Sequence, residues 1–275
     1  MALSGRLAII AGGLGGLGTA TALALRKHSA RLALLYAPQE APRRDSVLTS
    51  VFGSGSHEDI TTHECDITSS ASVDALFSTL SATYSSPSSA FPSILVNSAG
   101  YVSVQPLHLT TADEAQRNFL PNLLGPLIVS NAWYNLYMTR KRLAEESRLP
   151  VPPGRIVSIS SQAAHLALDG HGAYCASKAG LMGLTRCQAN EWGRDGITAN
   201  TVSPTVALTA LGRKAWGEGR QREDHLARIP AGRFVEPEEV AGAVEFLCGD
   251  GASMVNGGDV RIDGGFTTSG GFQVR

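Results

Sequence analysis

Tyr174 and Lys178 stand four residues apart in GHGAYCASKAG, residues 170–180. On a helix, residues i and i+4 share a face, so the phenol and the ammonium can point into one cleft. A free tyrosine has a pKa near 10 and is a poor base at neutral pH; bringing it towards ~7 means stabilising the phenolate by roughly 4 kcal/mol. A neighbouring cation is the kind of group that does this. The chemistry on offer is proton transfer to or from an oxygen of a bound molecule. The competing reading is an aromatic and a lysine on a solvated face. The surrounding Ala173, Ala176 and Ser177 leave room for a ligand or for a close helix contact.

A second chemical signal lies near the start. AGGLGGLG, residues 11–18, follows an apolar run and opens an Ala- and Leu-rich stretch, Thr19–Lys27. Gly13, Gly15 and Gly18 satisfy G-x-G-x-x-G; Gly12, Gly16 and Gly18 satisfy G-x-x-x-G-x-G. Either spacing lets backbone approach a pyrophosphate at a helix N-terminus, where free N–H groups and the helix dipole favour anions. A glycine turn alone is weak evidence, because any tight strand-to-helix turn uses glycine. Its position between strand and helix favours dinucleotide binding.

These groups need a scaffold. Short apolar runs recur at Arg6–Ala11, Arg31–Tyr36, Ile94–Val96, Arg155–Ser160, Thr198–Val202 and Val260–Ile262, with helix-like stretches between them. Strands separated by helical segments predict βαβ units and a Rossmann-type, doubly wound parallel sheet with helices on both faces. The chain is expected to be one α/β domain over residues 1–275, with the glycine-rich turn at 11–18, a catalytic region at 122–178 and a substrate-loop region at 204–230. No internal repeat is visible. The Ser- and Pro-rich tract Ser81–Ser93 reads as a surface loop. Arg140–Gly154 begins as a charged helical continuation and must break at LPVPPG.

Composition narrows the function classes. The 275 residues are 43% hydrophobic, enough for a sizeable core. Lys and Arg total 23 against 24 Asp and Glu, a net charge of −1 with no basic stripe, so a nucleic-acid partner has no electrostatic support. Cys65, Cys175, Cys187 and Cys248 form no CxxC pair and read as free thiols of a reducing compartment. MALSGRLAII has no signal-peptide pattern, and no apolar run reaches the roughly 20 residues of a membrane span. A cytoplasmic protein with no membrane partner is expected. The seven histidines show no metal-ligand spacing, so no metal is expected.

Taken together, the glycine turn at Gly12–Gly18, NSAG at Asn97–Gly100, Ser161, Tyr174-x-x-x-Lys178, and GRFVEPEEVAGAVEFL at Gly232–Leu247 resemble the short-chain dehydrogenases/reductases. The resemblance runs from Arg6 to IDGG at Ile262–Gly265. It implies Tyr174 as acid/base and Lys178 as the residue that binds the nicotinamide ribose and lowers the tyrosine pKa. Ser161, thirteen residues upstream, would bond the substrate carbonyl. Asn122 would sit at a helix irregularity and hold a water that links Lys178 to solvent. Gly12, Leu14, Gly16, Leu17 and Gly18 would meet the cofactor phosphates; Tyr36 and Ala37 its adenosine ribose; Asp66 and Ile67 the adenine. Asn97, Ala99 and Gly100 would flank the ribose, and Pro204, Val206 and Thr209 the nicotinamide carboxamide. Leu208–Arg228, with Leu211 and Trp216, and also Trp192, match the substrate-binding loop.

Departures from the family pattern are Ala11 where Thr is common, Ser98 where a second Asn is common, and Pro204-Thr205 in place of Pro-Gly. At the end of the second strand an acid would select NAD and a cation NADP. Tyr36-Ala37-Pro38 carries no acid, Glu40 comes slightly late, and Arg43 and Arg44 follow. NADP(H) is expected, with NAD(H) as the alternative. His165 and His171, between Ser161 and Tyr174, are either hydroxyl-reading residues or solvated loop positions. Cys175 faces another side of its helix.

The expected activity is hydride transfer between NADP(H) and a small ketone or secondary alcohol. SSQAAH, GAYCASKAGL and TVSPTVA resemble sugar and polyol reductases, which implies a ketose/polyol pair such as xylulose and xylitol. A 3-oxoacyl thioester reductase is the enzymatic alternative; a nucleotide-binding sensor or scaffold without turnover is the alternative of another class. The family's habit implies a homotetramer or homodimer.

Overall fold

A computed structural model describes residues 3–55 and 57–268, apart from the side chains at 211, 215 and 221. Seven parallel strands form one sheet in the order β3-β2-β1-β4-β5-β6-β7. They are β1 Arg6–Ala11, β2 Arg31–Tyr36, β3 Ile60–Glu64, β4 Phe91–Asn97, β5 Gly154–Ile159, β6 Ile197–Pro204 and β7 Asp259–Ile262. The main helices are α1 Gly16–Lys27, α2 Arg44–Phe52, α3 Ser70–Thr83, α4 Ala112–Phe119, α5 Gly125–Glu146, α6 Gly172–Trp192, α7 Ala210–Ala215, α8 Arg220–Leu226 and α9 Pro237–Cys248.

Strand periodicity decides which residues feed which layer. Along β1, Leu7, Ile9 and Ala11 pack with Val73 and Phe77 of α3 and Trp133 of α5, while Ala8 and Ile10 pack with Leu25 of α1 and Val240 and Val244 of α9. Both faces of the strand are therefore covered. This is why it reads as a continuous apolar run and not as an alternation. Each fully buried Leu or Ile of these clusters contributes roughly 1.5–3 kcal/mol.

β3 was not expected. Its residues, Ile60-Thr61-Thr62-His63-Glu64, are only half-buried or exposed at the sheet edge, so they carry no apolar run; β-branched Ile-Thr-Thr is the signal that could have found them. The Ser- and Pro-rich tract is shorter as a loop than expected: α3 continues to Thr83 and β4 starts at Phe91. α1 begins at Gly16 with Gly15 as N-cap, a turn earlier than Thr19.

The strand order reverses between β1 and β4. Crossovers leave in opposite directions there, and a crevice opens beyond the carboxyl ends of the strands. Everything chemical in the sequence converges on that edge.

Candidate active site

The glycine turn occupies the switch point. Gly12 has φ +78°, and a Cβ there would lie 2.6 Å from the backbone nitrogen of Ala99; a Cβ on Gly18 would lie 2.1 Å from the Gly12 carbonyl oxygen. Gly16 is pressed by Thr209, whose Cγ2 would be 2.5 Å from an added Cβ. The first turn thus touches the NSAG strand end, its own helix and the segment after β6. Gly15 is less restricted, with 3.2 Å to the nearest atom. Gly13 is as crowded as Gly12 and Gly16, since an added Cβ would lie 2.7 Å from Leu34 Cβ and 2.9 Å from its Cα, so both glycine spacings have a steric basis in the turn. α1 has no side-chain cap at Gly15, so its first N–H groups are left for an anion. Leu14 is buried, while Leu17 packs against the α1–α9 side of the sheet. The cradle fits a dinucleotide pyrophosphate.

Flanking positions gather around it, though not all by side chain. The Ser98 N–H donates to Ala11 O at 2.9 Å, which ties the two strand ends. Asn97 turns inward: its Nδ2 donates to Ser158 Oγ at 3.1 Å and Ser130 Oγ at 3.3 Å. Only the backbone at Asn97, with Ala99 and Gly100, faces the crevice edge, because the amide joins β4 to β5 and α5. Asp66 uses Oδ1 to accept from the N–H and hydroxyl of Thr68, and Ile67 packs onto Gly125. Pro204 ends β6; Val206 O accepts from Val235 N–H at 3.1 Å; Thr209 caps α7 by accepting from Gly212 N–H.

At the end of β2, Tyr36 is buried and Ala37 begins a 3-10 turn. Glu40 reaches back, and its Oε2 accepts from Ala37 N–H at 3.0 Å. Arg43 is paired with Glu40, and Arg44 with Asp45 at 2.8 Å. An acid is thus present where the sequence spacing placed it too late, with a guanidinium on it.

The catalytic candidates come from four elements. Ser161 follows β5 in extended conformation and caps the 3-10 turn Gln162–Ala164: its Oγ accepts from Ala163 N–H at 3.1 Å. The hydroxyl proton is left free to donate, and Ser161 acts on Tyr174 in the direction that favours its phenolate. Tyr174 lies in the first turn of α6 and Lys178 one turn on. The Lys178 Nζ sits 5.9 Å from the tyrosine ring centroid and donates to Ile159 O at 2.8 Å.

Asn122 lies in a π-helical turn, Leu120–Leu124, between α4 and α5, the irregularity expected of it. Such a turn commonly marks a functional site. Its Oδ1 accepts from Tyr101 N–H at 2.8 Å; its Nδ2 donates to Tyr101 O at 2.8 Å and to Ser177 Oγ at 2.9 Å. Gly100 fits between Asn122 Oδ1 and Lys178 Nζ, 3.1 Å and 3.6 Å from where its Cβ would be. Tyr101, Ser177 and the Ile159 carbonyl are parts of this site that the sequence did not single out. The first and last contribute backbone, which leaves no sequence signal.

Burial pushes the Tyr174 phenol up; the Ser161 hydrogen bond opposes this, and Cys175 adds to the rise. Burial also pushes Lys178 down to about 8. Burial is the largest of the causes at Tyr174, so the phenol lies above its ordinary value in the protein alone.

Two aromatics expected together separate. Trp216 packs with His225 and Phe234 under the segment after β6. Trp192 ends α6, eighteen residues beyond Tyr174, and stacks on Tyr134 at 4.7 Å. At 1.5 Å per residue it lies about 27 Å from the tyrosine along the helix, so it belongs to no substrate loop. The side chain of Leu211 lies outside the described residues. His171 Nδ1 lies 2.7 Å from Asp169 O, and its ring is 6.3 Å from that of Tyr174. His165 instead contacts Asp259 of β7. No helix among the described residues is long and apolar enough to cross a membrane.

Comparison with known proteins agrees with this geometry. The family described as Enoyl-(Acyl carrier protein) reductase matches residues 12–267. D-threitol dehydrogenase of Mycolicibacterium smegmatis is 37% identical over 266 residues, 96% of this chain and 94% of that one. L-xylulose reductase of Caenorhabditis elegans is 39% identical over 175 residues, 64% of this chain and 66% of that one. The solved short-chain dehydrogenase/reductase of Serratia marcescens superposes with a TM-score of 0.81 at 26% identity, covering 97% of this chain and all of the other.

Proposed function

Because this chain belongs to the short-chain dehydrogenase/reductase family, we propose that it interconverts a short ketose and its polyol by hydride transfer with NADP(H). The relatives act on threitol and xylulose by name. The observation that carries the reaction is Lys178 Nζ 5.9 Å from the Tyr174 ring, one helical turn on, with Ser161 favouring the phenolate of the same tyrosine. When bound, the dinucleotide supplies the hydride and, in oxidised form, a positive charge. Tyr174 donates its phenolic proton to the substrate carbonyl oxygen as that oxygen gains charge. Ser161 donates to the same oxygen and stabilises the developing alkoxide. The Lys178 ammonium is the cation that faces the phenolate left behind, and Asn122 holds the backbone of Tyr101 and the helix at Ser177 in place beside it.

The ketose assignment rests on His171. A carbonyl oxygen only accepts, so Nδ1 donates to Asp169 O, and Nε2 is the ring nitrogen left to serve as acceptor. An acceptor beside Tyr174 suits a substrate with a hydroxyl next to its carbonyl. NADP(H) is preferred because Arg43 and Arg44 follow β2 directly, and their guanidinium groups, 50% and 41% exposed, can turn to a 2′-phosphate; NAD(H) is the alternative. We place the protein in a reducing cytoplasm, given its four free thiols, as a homodimer or homotetramer without nucleic-acid, membrane or metal partners.

The test is oxidation of NADPH and of NADH with erythrulose, xylulose and a 3-oxoacyl thioester. Ketose turnover that falls 10²–10⁴-fold in a folded Tyr174→Phe variant is expected. Turnover of the thioester alone would favour the other enzymatic reading. No turnover with any of them, despite dinucleotide binding, would favour a sensor or scaffold.

A further inference from the structure

Ser161 has to hold its hydroxyl within about 2.7–3.1 Å of a developing oxyanion, yet it sits at the mouth of a three-residue turn. Gln162 and Ala163 are buried, so the turn is packed, but its side chains give it little hydrogen bonding. Ala163 and Ala164 offer no polar group, and the buried Oε1 of Gln162 has no partner among the described residues. The turn closes through Ala164 N–H to Ser161 O at 2.9 Å and His165 N–H to Gln162 O at 3.0 Å. His165 is therefore the residue where the turn ends, and its side chain is anchored.

The anchor is built from three elements. Nε2 of His165 lies 2.9 Å from Asp259 Oδ2. The other oxygen, Oδ1, accepts from Thr201 Oγ at 2.5 Å and Ser203 Oγ at 2.7 Å. Thr201 and Ser203 are two apart on β6 and so share a face; Asp259 opens β7 and is the register partner of Thr201. An ionised carboxylate only accepts, so Nε2 of His165 carries the proton of that bond. The two side chains are 22% and 12% exposed, which limits competition from water. Ninety-four residues separate the partners, and no motif joins them.

We propose that His165 and Asp259 form a clamp that positions Ser161 as donor to the substrate oxygen. Both are assigned as positioning residues, since the contacts of each tie one part of the protein to another; the proposal rests on the reading of Ser161 given above. Freed from Asp259, the end of the turn can rotate, and the cap from Ala163 N–H to Ser161 Oγ turns with it. The hydroxyl then leaves the line to the carbonyl, while the glycine cradle and Lys178 stay in place.

The test is a double-mutant cycle on ketose reduction at saturating NADPH. His165→Ala should lower kcat by about ten- to a hundredfold, the scale of a misplaced catalytic group, with the dinucleotide Kd unchanged. His165→Gln, whose terminal amide can still donate to Asp259, should restore most of kcat. In a Ser161→Ala background, His165→Ala should cost less than about twofold, because the group it positions is gone. Losses that multiply in the double variant, or no recovery with Gln, would overturn the clamp and leave a structural tie. If Ser161→Ala alone keeps normal kcat, the role of Ser161 falls, and the clamp with it. Should His165→Ala not fold, Asp259→Asn takes its place in the same cycle, with the same coupling expected.

Discussion

At Lys178 the site bears a cost that function explains. The ammonium is fully buried, held by the Ile159 carbonyl, with its pKa pushed down to about 8. Below that pH it is charged in the fold, at a cost on the order of 3 kcal/mol relative to a solvated lysine. The unfolded chain binds the extra proton between about 8 and the ordinary 10.5, so stability rises with pH across that window. Lys178→Met should therefore raise Tm of the cofactor-free protein at pH 7, with the gain shrinking between pH 8 and 10.5, while activity is lost. Thermal unfolding of both proteins from pH 6 to 10.5 checks this. A lower Tm for the variant at pH 7 would mean that the bond to Ile159 outweighs the burial cost.

At the scale of elements, the turn between β1 and α1 and the segment after β6 carry the site. Gly12→Ala should abolish dinucleotide binding or folding, because φ +78° and the Ala99 backbone 2.6 Å away leave no room. Gly15→Ala should keep affinity within about threefold, since a contact of 3.2 Å needs only a small adjustment. Fluorescence titration with NADPH separates the two; equal losses would contradict the steric difference between them. In the segment after β6, α8 places His225 against Phe266, at 4.9 Å, and against Trp216 and Phe234. Burial, with Arg228 and His171 nearby, pushes its pKa down to about 4. The unfolded form takes up the proton first as pH falls below the ordinary 6.5, so the segment loses stability between about 6.5 and 4. Limited proteolysis should cut residues 204–230 faster at pH 5 than at pH 7, and His225→Phe should flatten that difference.

At the scale of the molecule, one flank is apolar and uncovered. Leu107 and Leu109 are 72% and 52% exposed, and Phe119, Leu120, Leu124 and Leu127 continue the exposed series along α4, the π-helical turn and α5. A row of this kind marks an association surface more often than a solvated one. Since the turn that buries Asn122 carries Leu120 and Leu124 on its outer side, association would stiffen the turn that holds the site. Leu124→Glu with Leu127→Glu should shift the protein towards monomer in sedimentation or light scattering, and lower kcat with it. An unchanged mass would place the subunit contact elsewhere.

What the sequence determined by itself was local. The glycine turn, Tyr174 with Lys178 and the two-sided apolar runs of β1 and β2 were legible because strand and helix periods act over a few residues. So was the π-helical setting of Asn122, once the resemblance to a family pointed to it. Tertiary structure alone decided which glycines of the turn have no room for a side chain, because that depends on Leu34, Ala99 and Thr209 approaching from far along the chain. It moved Glu40 back onto Ala37, sent Trp192 away from the site, and turned the Asn97 amide inward. It also set the burial that raises the Tyr174 phenol in the protein alone, since burial is a property of the packed molecule and not of neighbours in sequence. The same reason hides the clamp on Ser161: His165 and Asp259 meet only because β6 and β7 pair beside β5.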